Sequence, residues 1–287
     1  MWVLQIKKND ELSQHWREKS EIPILGYLLN KNRIQKKNST LKNFFIVQGS
    51  INKSFKVIIM TKNEINNFKC YIFDFDGTIA DSQKLHAFIE SRLMKTFYNI
   101  LIDPESITSK YAGISTRKVF KQILSENNIQ PSDEELNNLN NSKWNILNSL
   151  SPAKNLNNTF SFKVDLIPGI DRFLENLALQ NKLLSIGTAS QKIYVNNVIE
   201  YFDFDKYFSK ENIVSADDVL NGKPAPDIFL ECAKRQGVDP ESCLVFGDGN
   251  SDNQSAIAAN MKFIGVVNKD LIPTSDYFIN DFTELLF

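Results

Sequence analysis

The chain has 287 residues, 42% of them apolar and 23% charged, with a formal net charge of −1. This composition fits a soluble globular protein with a real core and gives no general pull toward nucleic acid or a membrane surface. The three cysteines, Cys70, Cys232 and Cys243, are an odd number without metal-ligand spacing, so no disulfide framework or zinc site is expected and a reducing, cytoplasmic setting is.

No apolar run reaches the roughly 18–20 residues that a bilayer span needs. The start, Met1 to Lys8, lacks the pattern of a signal peptide. Residues 1–67 form a basic extension with 12 Lys and Arg against 5 Asp and Glu. Within it, Phe44–Val47 and Phe55–Met60 predict two strands joined by a turn through Gly49 and Asn52. The polar stretch Asn30–Asn43 reads as a loop. No catalytic motif lies here. The extension either covers the core or offers a surface to a protein partner, to a second copy or to an acidic surface.

From Lys69 onward the pattern alternates. Lys69–Phe75 predicts a buried strand that runs into an Asp-Gly turn. Helical spacing covers Gln83–Tyr98, Arg117–Asn127 and Asp133–Leu150, the last opened by Ser132 or Asp133 as cap. Asn155–Phe162 is polar and reads as a linker. Then helix Ile170–Gln180, strand Lys182–Thr188, helix Gln191–Tyr201, helix Asp227–Gln236, strand Cys243–Phe246, helix Asp252–Asn260 and strand Phe263–Val267 follow. Repeated strand–helix units predict an α/β fold, a parallel sheet with helices on both faces. The mostly helical block 83–162 interrupts the core 68–82 and 163–287.

Four strings carry chemistry. Phe73-Asp74-Phe75-Asp76-Gly77-Thr78 places two acids at a strand's carboxyl end, where parallel sheets build sites. Two residues apart on a strand, they would face one pocket; the bland alternative is a solvated turn. Leu184 to Ser190 ends an apolar strand in Thr188, Ala189 and Ser190, whose hydroxyl and N–H groups can hold phosphate oxygens, or Ser190 merely caps a helix. Gly222-Lys223-Pro224-Ala225-Pro226-Asp227 sets a lysine in a stiff loop, a positioned cation rather than a surface charge. Gly247-Asp248-Gly249-Asn250-Ser251-Asp252 again ends a strand in acids, with Asp252 an alternative N-cap.

In this order the four strings resemble the motifs of the haloacid dehalogenase superfamily over residues 69–287. The resemblance implies a Rossmann-like core with a helical cap inserted after the first motif. It implies a magnesium-dependent phosphatase acting on a small phosphorylated metabolite, since the dehalogenase members lack the second aspartate that Asp76 provides here. By that likeness Asp74 is the nucleophile and Asp76 the acid and base. Mg²⁺ is held by Asp74, the Asp76 carbonyl and Asp248. Thr188, Ala189 and Lys223 bind the phosphoryl group, and Asp252 orients Lys223 or a metal-bound water. Arg117, in the loop Tyr111–Arg117, either grips a second anionic group or is a surface arginine. His86 stands where mutase-like members carry a hinge histidine, so a sugar-phosphate mutase resembling β-phosphoglucomutase is the rival; Gly247 stands where that mutase has Glu. A non-catalytic binding protein acting through the basic extension is the third reading.

Overall fold

The computed structural model describes residues 60, 62–111, 115–150, 164–267, 275 and 277–286. The expected hairpin within the basic extension, apart from Met60, and the linker Asn155–Phe162 lie outside the described residues. The end of the extension is a five-residue helix, α1 (Lys62–Asn66). It is tied to the core by Ile65, which is buried, and by its carbonyl, which accepts from the Tyr71 hydroxyl at 2.6 Å.

Among the described residues, six strands make one sheet in the order β5-β4-β1-β6-β7-β8, every neighbouring pair parallel. They are β1 (Cys70–Phe73), β4 (Leu183–Thr188), β5 (Ile213–Ser215), β6 (Cys243–Gly247), β7 (Lys262–Val266) and β8 (Phe278–Ile279). A separate antiparallel pair joins β2 (Ala80–Asp81) to β3 (Asp165–Leu166). β1 and β6 are buried throughout, as a strand covered on both faces must be. Alternation sorts their side chains. Tyr71, Phe73 and Phe246 enter one core, and Cys70, Ile72 and Val245 the other. Phe73 stacks on Phe246 with ring centroids 5.3 Å apart.

The linking helices cover these two cores. α6 (Ile170–Leu179) and α7 (Lys192–Tyr201) pack on the Phe73 side. In α6, Ile170, Phe173, Leu174 and Leu177 recur at helical spacing and are all buried. α8 (Asp227–Arg235) and α9 (Asn250–Ala258) pack on the other side through residues such as Phe229, Cys232 and Ala256. The chain is therefore an α/β protein with a Rossmann-like parallel sheet covered on both faces. The chain leaves β1 toward β4 and β5, then returns past β1 to β6, β7 and β8. The order reverses at β1, and such a switch point opens a crevice at the strands' carboxyl ends.

Among the described residues between β2 and β3 there are four helices: α2 (Gln83–Tyr98), α3 (Pro104–Tyr111), α4 (Thr116–Glu126) and α5 (Asp133–Leu150). α2 packs on α3 and α5, α4 packs on α5, and α5 meets α7. Ser132 opens α5. Its hydroxyl accepts from the Glu135 N–H at 3.2 Å, and its own N–H donates to the Glu135 carboxylate at 2.8 Å. Both halves of a capping box are thus present.

Several local expectations need correction. β1 stops at Phe73, not Phe75, because the carbonyl of Phe75 turns back to accept from the N–H groups of Ile79 and Ala80. α9 starts two residues before the expected Asp252. β2, β3, β5, β8 and α3 are too short or too polar for periodicity to reveal.

Candidate active site

The register of the sheet gathers the site. Phe73 pairs with Ile186 on one side and Phe246 on the other. Asp74 therefore emerges beside Gly187–Thr188 and Gly247–Asp248, and its N–H donates to the Phe246 carbonyl at 2.8 Å. The turn that follows needs Gly77. Its φ is +79°, and a Cβ there would lie 2.1 Å from Oδ2 of Asp248. Gly247 is small for a related reason. A Cβ there would lie 2.7 Å from that of Asp252.

Lys223 is the centre of charge. Its Nζ lies 2.7 Å from Oδ1 of Asp74, 2.6 Å from Oδ1 of Asp252 and 3.2 Å from the Gly187 carbonyl. Burial alone would strip its proton, but Asp252 and Asp74 outweigh that and hold it above the ordinary lysine value. Asp74 is pushed up to about 7 by burial and by Asp252, with Lys223 opposing. Burial, then Asp74 and Asp252, hold Asp248 well above the carboxylate range. Asp252 does not cap its helix from the N-cap position. Gly249 is the N-cap, and Oδ2 of Asp252, three residues on, accepts from the Gly249 N–H at 2.9 Å.

Asp76 reaches the same cavity from the turn rather than from the strand. Its two carboxylate oxygens accept from the hydroxyls of Ser82 and Ser190. Ser190 is therefore not a helix cap, and Gln191 takes that position in α7. Nε2 of His86 lies 3.4 Å from Asp76. Burial lowers His86 to about 4, against the pull of Asp76, so this neighbour is a neutral imidazole and not an ion-pair partner. Its ring stands edge-on to Trp144 and Tyr194. Thr188 is buried at the end of β4, and its Oγ1 accepts from the Ser190 N–H at 3.0 Å.

A cavity of about 330 Å³ gathers the acids, Lys223, His86, Thr188 and Ser190. Asp74, Asp76, Thr188, Ala189, Lys223, Asp248 and Asp252 line it from the sheet side, and residues of α2 to α5 line it from the other. Arg117 is on that second wall. Its guanidinium donates to Asp133 and Asn137. The loop residues 112–114 beside it lie outside the described residues. Three groups escaped the sequence reading. The hydroxyl of Ser82 was hidden in a helix start, and Gln83 donates its amide to Oδ2 of Asp248. The third, a Glu90–Lys143 pair, was signalled by a lysine set among Leu136, Leu139 and Leu147, at the apolar spacing of α5.

The carboxylates suit a hard cation. Oxygens of Asp74, Asp248 and Asp252 lie within 4.8 Å of one another, all buried. Oxygen-only ligands are what Mg²⁺ takes, and Asp248 is pushed up first by burial and then by Asp74 and Asp252, as expected of acids gathered out of water. Asp76 is outside this group of carboxylates, its side chain being held by the two serines. Among the described residues, no helix is long and apolar enough to cross a membrane.

Comparison with known proteins agrees with this geometry. The family model of the haloacid dehalogenase-like hydrolases matches residues 71–266. The chain is 28% identical over 195 residues to the fructose-1-phosphate phosphatase YqaB of Escherichia coli strain K12, covering 68% of this chain and 94% of that one. It is similar to a family IA, variant 3 hydrolase of Entamoeba histolytica, with a TM-score of 0.64, 26% identity, and coverage of 75% of this chain and 94% of that one. It is likewise similar to a β-phosphoglucomutase from Clostridium difficile, with a TM-score of 0.62, 26% identity, and coverage of 77% and 94%.

Proposed function

The chain belongs to the haloacid dehalogenase-like hydrolase family, and on that footing we propose that it is a phosphatase that hydrolyses a small phosphate monoester through Asp74. The observation that carries this reading is the meeting of Asp74, Lys223, Asp248 and Asp252 at the carboxyl ends of β1 and β6, beside Thr188 of β4. The similarity to a fructose-1-phosphate phosphatase supports it.

In this reading a carboxylate oxygen of Asp74 attacks phosphorus while the bond from phosphorus to the leaving oxygen breaks. The product is an aspartyl-phosphate, and two easier steps replace one hard step. Asp76, fixed by Ser82 and Ser190, gives its proton to the leaving oxygen. It then takes one from the water that frees phosphate. Lys223, fixed by Asp252, and Thr188 stabilise charge on the phosphoryl oxygens. The hydroxyl oxygen of Thr188 accepts from Ser190, so its O–H donor serves the phosphoryl group. Asp74 and Asp248, with the Asp76 carbonyl, would hold Mg²⁺, which supplies electrostatic stabilisation of the transferred group. The helical segment α2–α5 acts as the cap that closes the cavity over the substrate.

Two observations favour the mutase reading, the buried His86 at 3.4 Å from Asp76 and the similarity to a β-phosphoglucomutase. A single assay separates the two readings. The full chain is given an aryl phosphate and a panel of sugar phosphates, with Mg²⁺ or with EDTA, beside Asp74→Asn. Metal-dependent release of phosphate that disappears in Asp74→Asn supports the phosphatase. Isomerised sugar phosphate without net release supports the mutase.

A further inference from the structure

The helical wall of the cavity is built around a buried ion pair. Lys143 of α5 and Glu90 of α2 have side chains only 2% and 6% exposed, with Nζ 2.6 Å from Oε1. The same Nζ lies 2.6 Å from Oγ1 of Thr116, the first residue of α4. One ammonium thus ties three helices together, and it lies 5.6 Å from the centroid of the Trp144 ring. Lys143, Glu90, Thr116 and Trp144 all line the cavity, with Thr108 and Asn140 beside them.

The charges on this wall cancel. Lys143 is matched by Glu90, and Arg117, the other cation of the wall, is matched by Asp133. The uncharged polar groups left on this wall are hydroxyls and amides, set among apolar side chains such as Ile107 and Val119. A hydroxyl can both donate and accept, so a polyol finds partners along such a wall. A second phosphate would not. It would lose its water next to the Glu90 carboxylate, while the nearest ammonium is already committed.

We propose that Glu90 is a specificity-determining residue. By neutralising Lys143 it fits the wall to the uncharged, hydroxylated end of a sugar or polyol monophosphate and rejects an ester with a second anionic group. This rests on the phosphatase reading above.

The test compares kcat/KM of the Mg²⁺-loaded full chain for a hexose 1-phosphate and for the bisphosphate of the same hexose, which shares the reacting phosphate. An aryl phosphate serves as reference. The wild-type chain favours the monophosphate by at least about tenfold, the scale of one mismatched polar contact in a buried site. Glu90→Gln frees the Lys143 charge and moves the ratio toward the bisphosphate by at least about tenfold, the scale of a charge-assisted hydrogen bond. A ratio is insensitive to uniform loss of active enzyme, so a merely structural role for Glu90 would leave it fixed. A wild-type chain that takes the bisphosphate as readily as the monophosphate overturns the proposal, as does a folded Glu90→Gln with an unchanged ratio. The wild-type ratio requires no variant and decides alone if Glu90→Gln fails to fold. Absence of hydrolysis of every ester, the aryl phosphate included, would count against the phosphatase reading instead.

Discussion

The ammonium of Lys223 lies 2.7 Å from Oδ1 of Asp74, although 149 residues separate them in the chain. The same ammonium holds Asp252, so one cation separates two buried carboxylates. Lys223→Met removes it and leaves the acids facing each other. Removing one partner of a buried pair costs about 3–5 kcal/mol. Urea unfolding in EDTA should show a loss of that size, and hydrolysis should fall by at least about 100-fold. A loss under about 1 kcal/mol would mean that the acids are far less dependent on Lys223 than their distances imply.

Asp248→Asn should act with opposite signs in two conditions. Without divalent metal it removes a carboxyl that burial, and then Asp74 and Asp252, disfavour in its charged form, so the melting temperature stays level or rises. With millimolar Mg²⁺ the wild-type melting temperature climbs by ligand linkage and that of the variant does not. Equal gains in both proteins would remove Asp248 from the metal site.

Gly77→Ala combines a left-handed backbone with a Cβ 2.1 Å from Asp248. The Asp248 and Gln83 side chains must move aside, and the strained backbone alone costs roughly 1–3 kcal/mol. Thermal melts should show the loss, and hydrolysis should fall with it because Asp76 and Asp248 flank the turn. A variant as stable and as active as wild type would contradict the tight approach.

Ser190→Ala deletes one of the two hydroxyls that orient Asp76. A hydrogen bond to a charged group is worth about 1.5–3 kcal/mol, so kcat should drop by about tenfold or more. KM should change little, since the substrate phosphate is held by other groups. A raised KM at unchanged kcat would place Ser190 on the substrate instead.

Asp218 offers a pH test away from the catalytic acids. Burial pushes its carboxyl up, but Lys192 at 2.7 Å and the Ser215 N–H pull it down to about 2. The folded value lies below the ordinary one, so its contribution is fully present above about pH 4 and is lost as pH falls through about 2. Asp218→Asn should therefore cost roughly 1–2 kcal/mol at neutral pH, after allowance for partial exposure. The gap to wild type in urea unfolding should close between about pH 4 and 2. A gap undiminished at pH 2 would falsify this assignment.

Much of the fold was legible because its signals are local. The apolar runs ending in Asp74, Thr188 and Asp248 announce buried parallel strands and where they stop. α2 and α5 have the limits that spacing and capping predict. Errors fell where local pattern and backbone path diverge. Asp74 and Asp76 looked like strand neighbours, yet β1 stops before both and Asp76 lies within the turn that Phe75 opens. Ser190 looked like a cap, yet its side chain serves Asp76, while Asp252 both holds Lys223 and accepts from the Gly249 N–H at the start of α9.

By itself, the sequence determined the strand-end strings and so the kind of chemistry, since a strand, a turn and the acids between them span only a few residues. Only the tertiary structure decided the pairings. Gln83 reaches Asp248 across 165 residues, Ser190 reaches Asp76 across 114, and Lys143 reaches Glu90 across 53. The reason is geometric. Which side chains share a cavity depends on how helices and strands pack, and packing joins residues whose separation along the chain leaves no periodic trace.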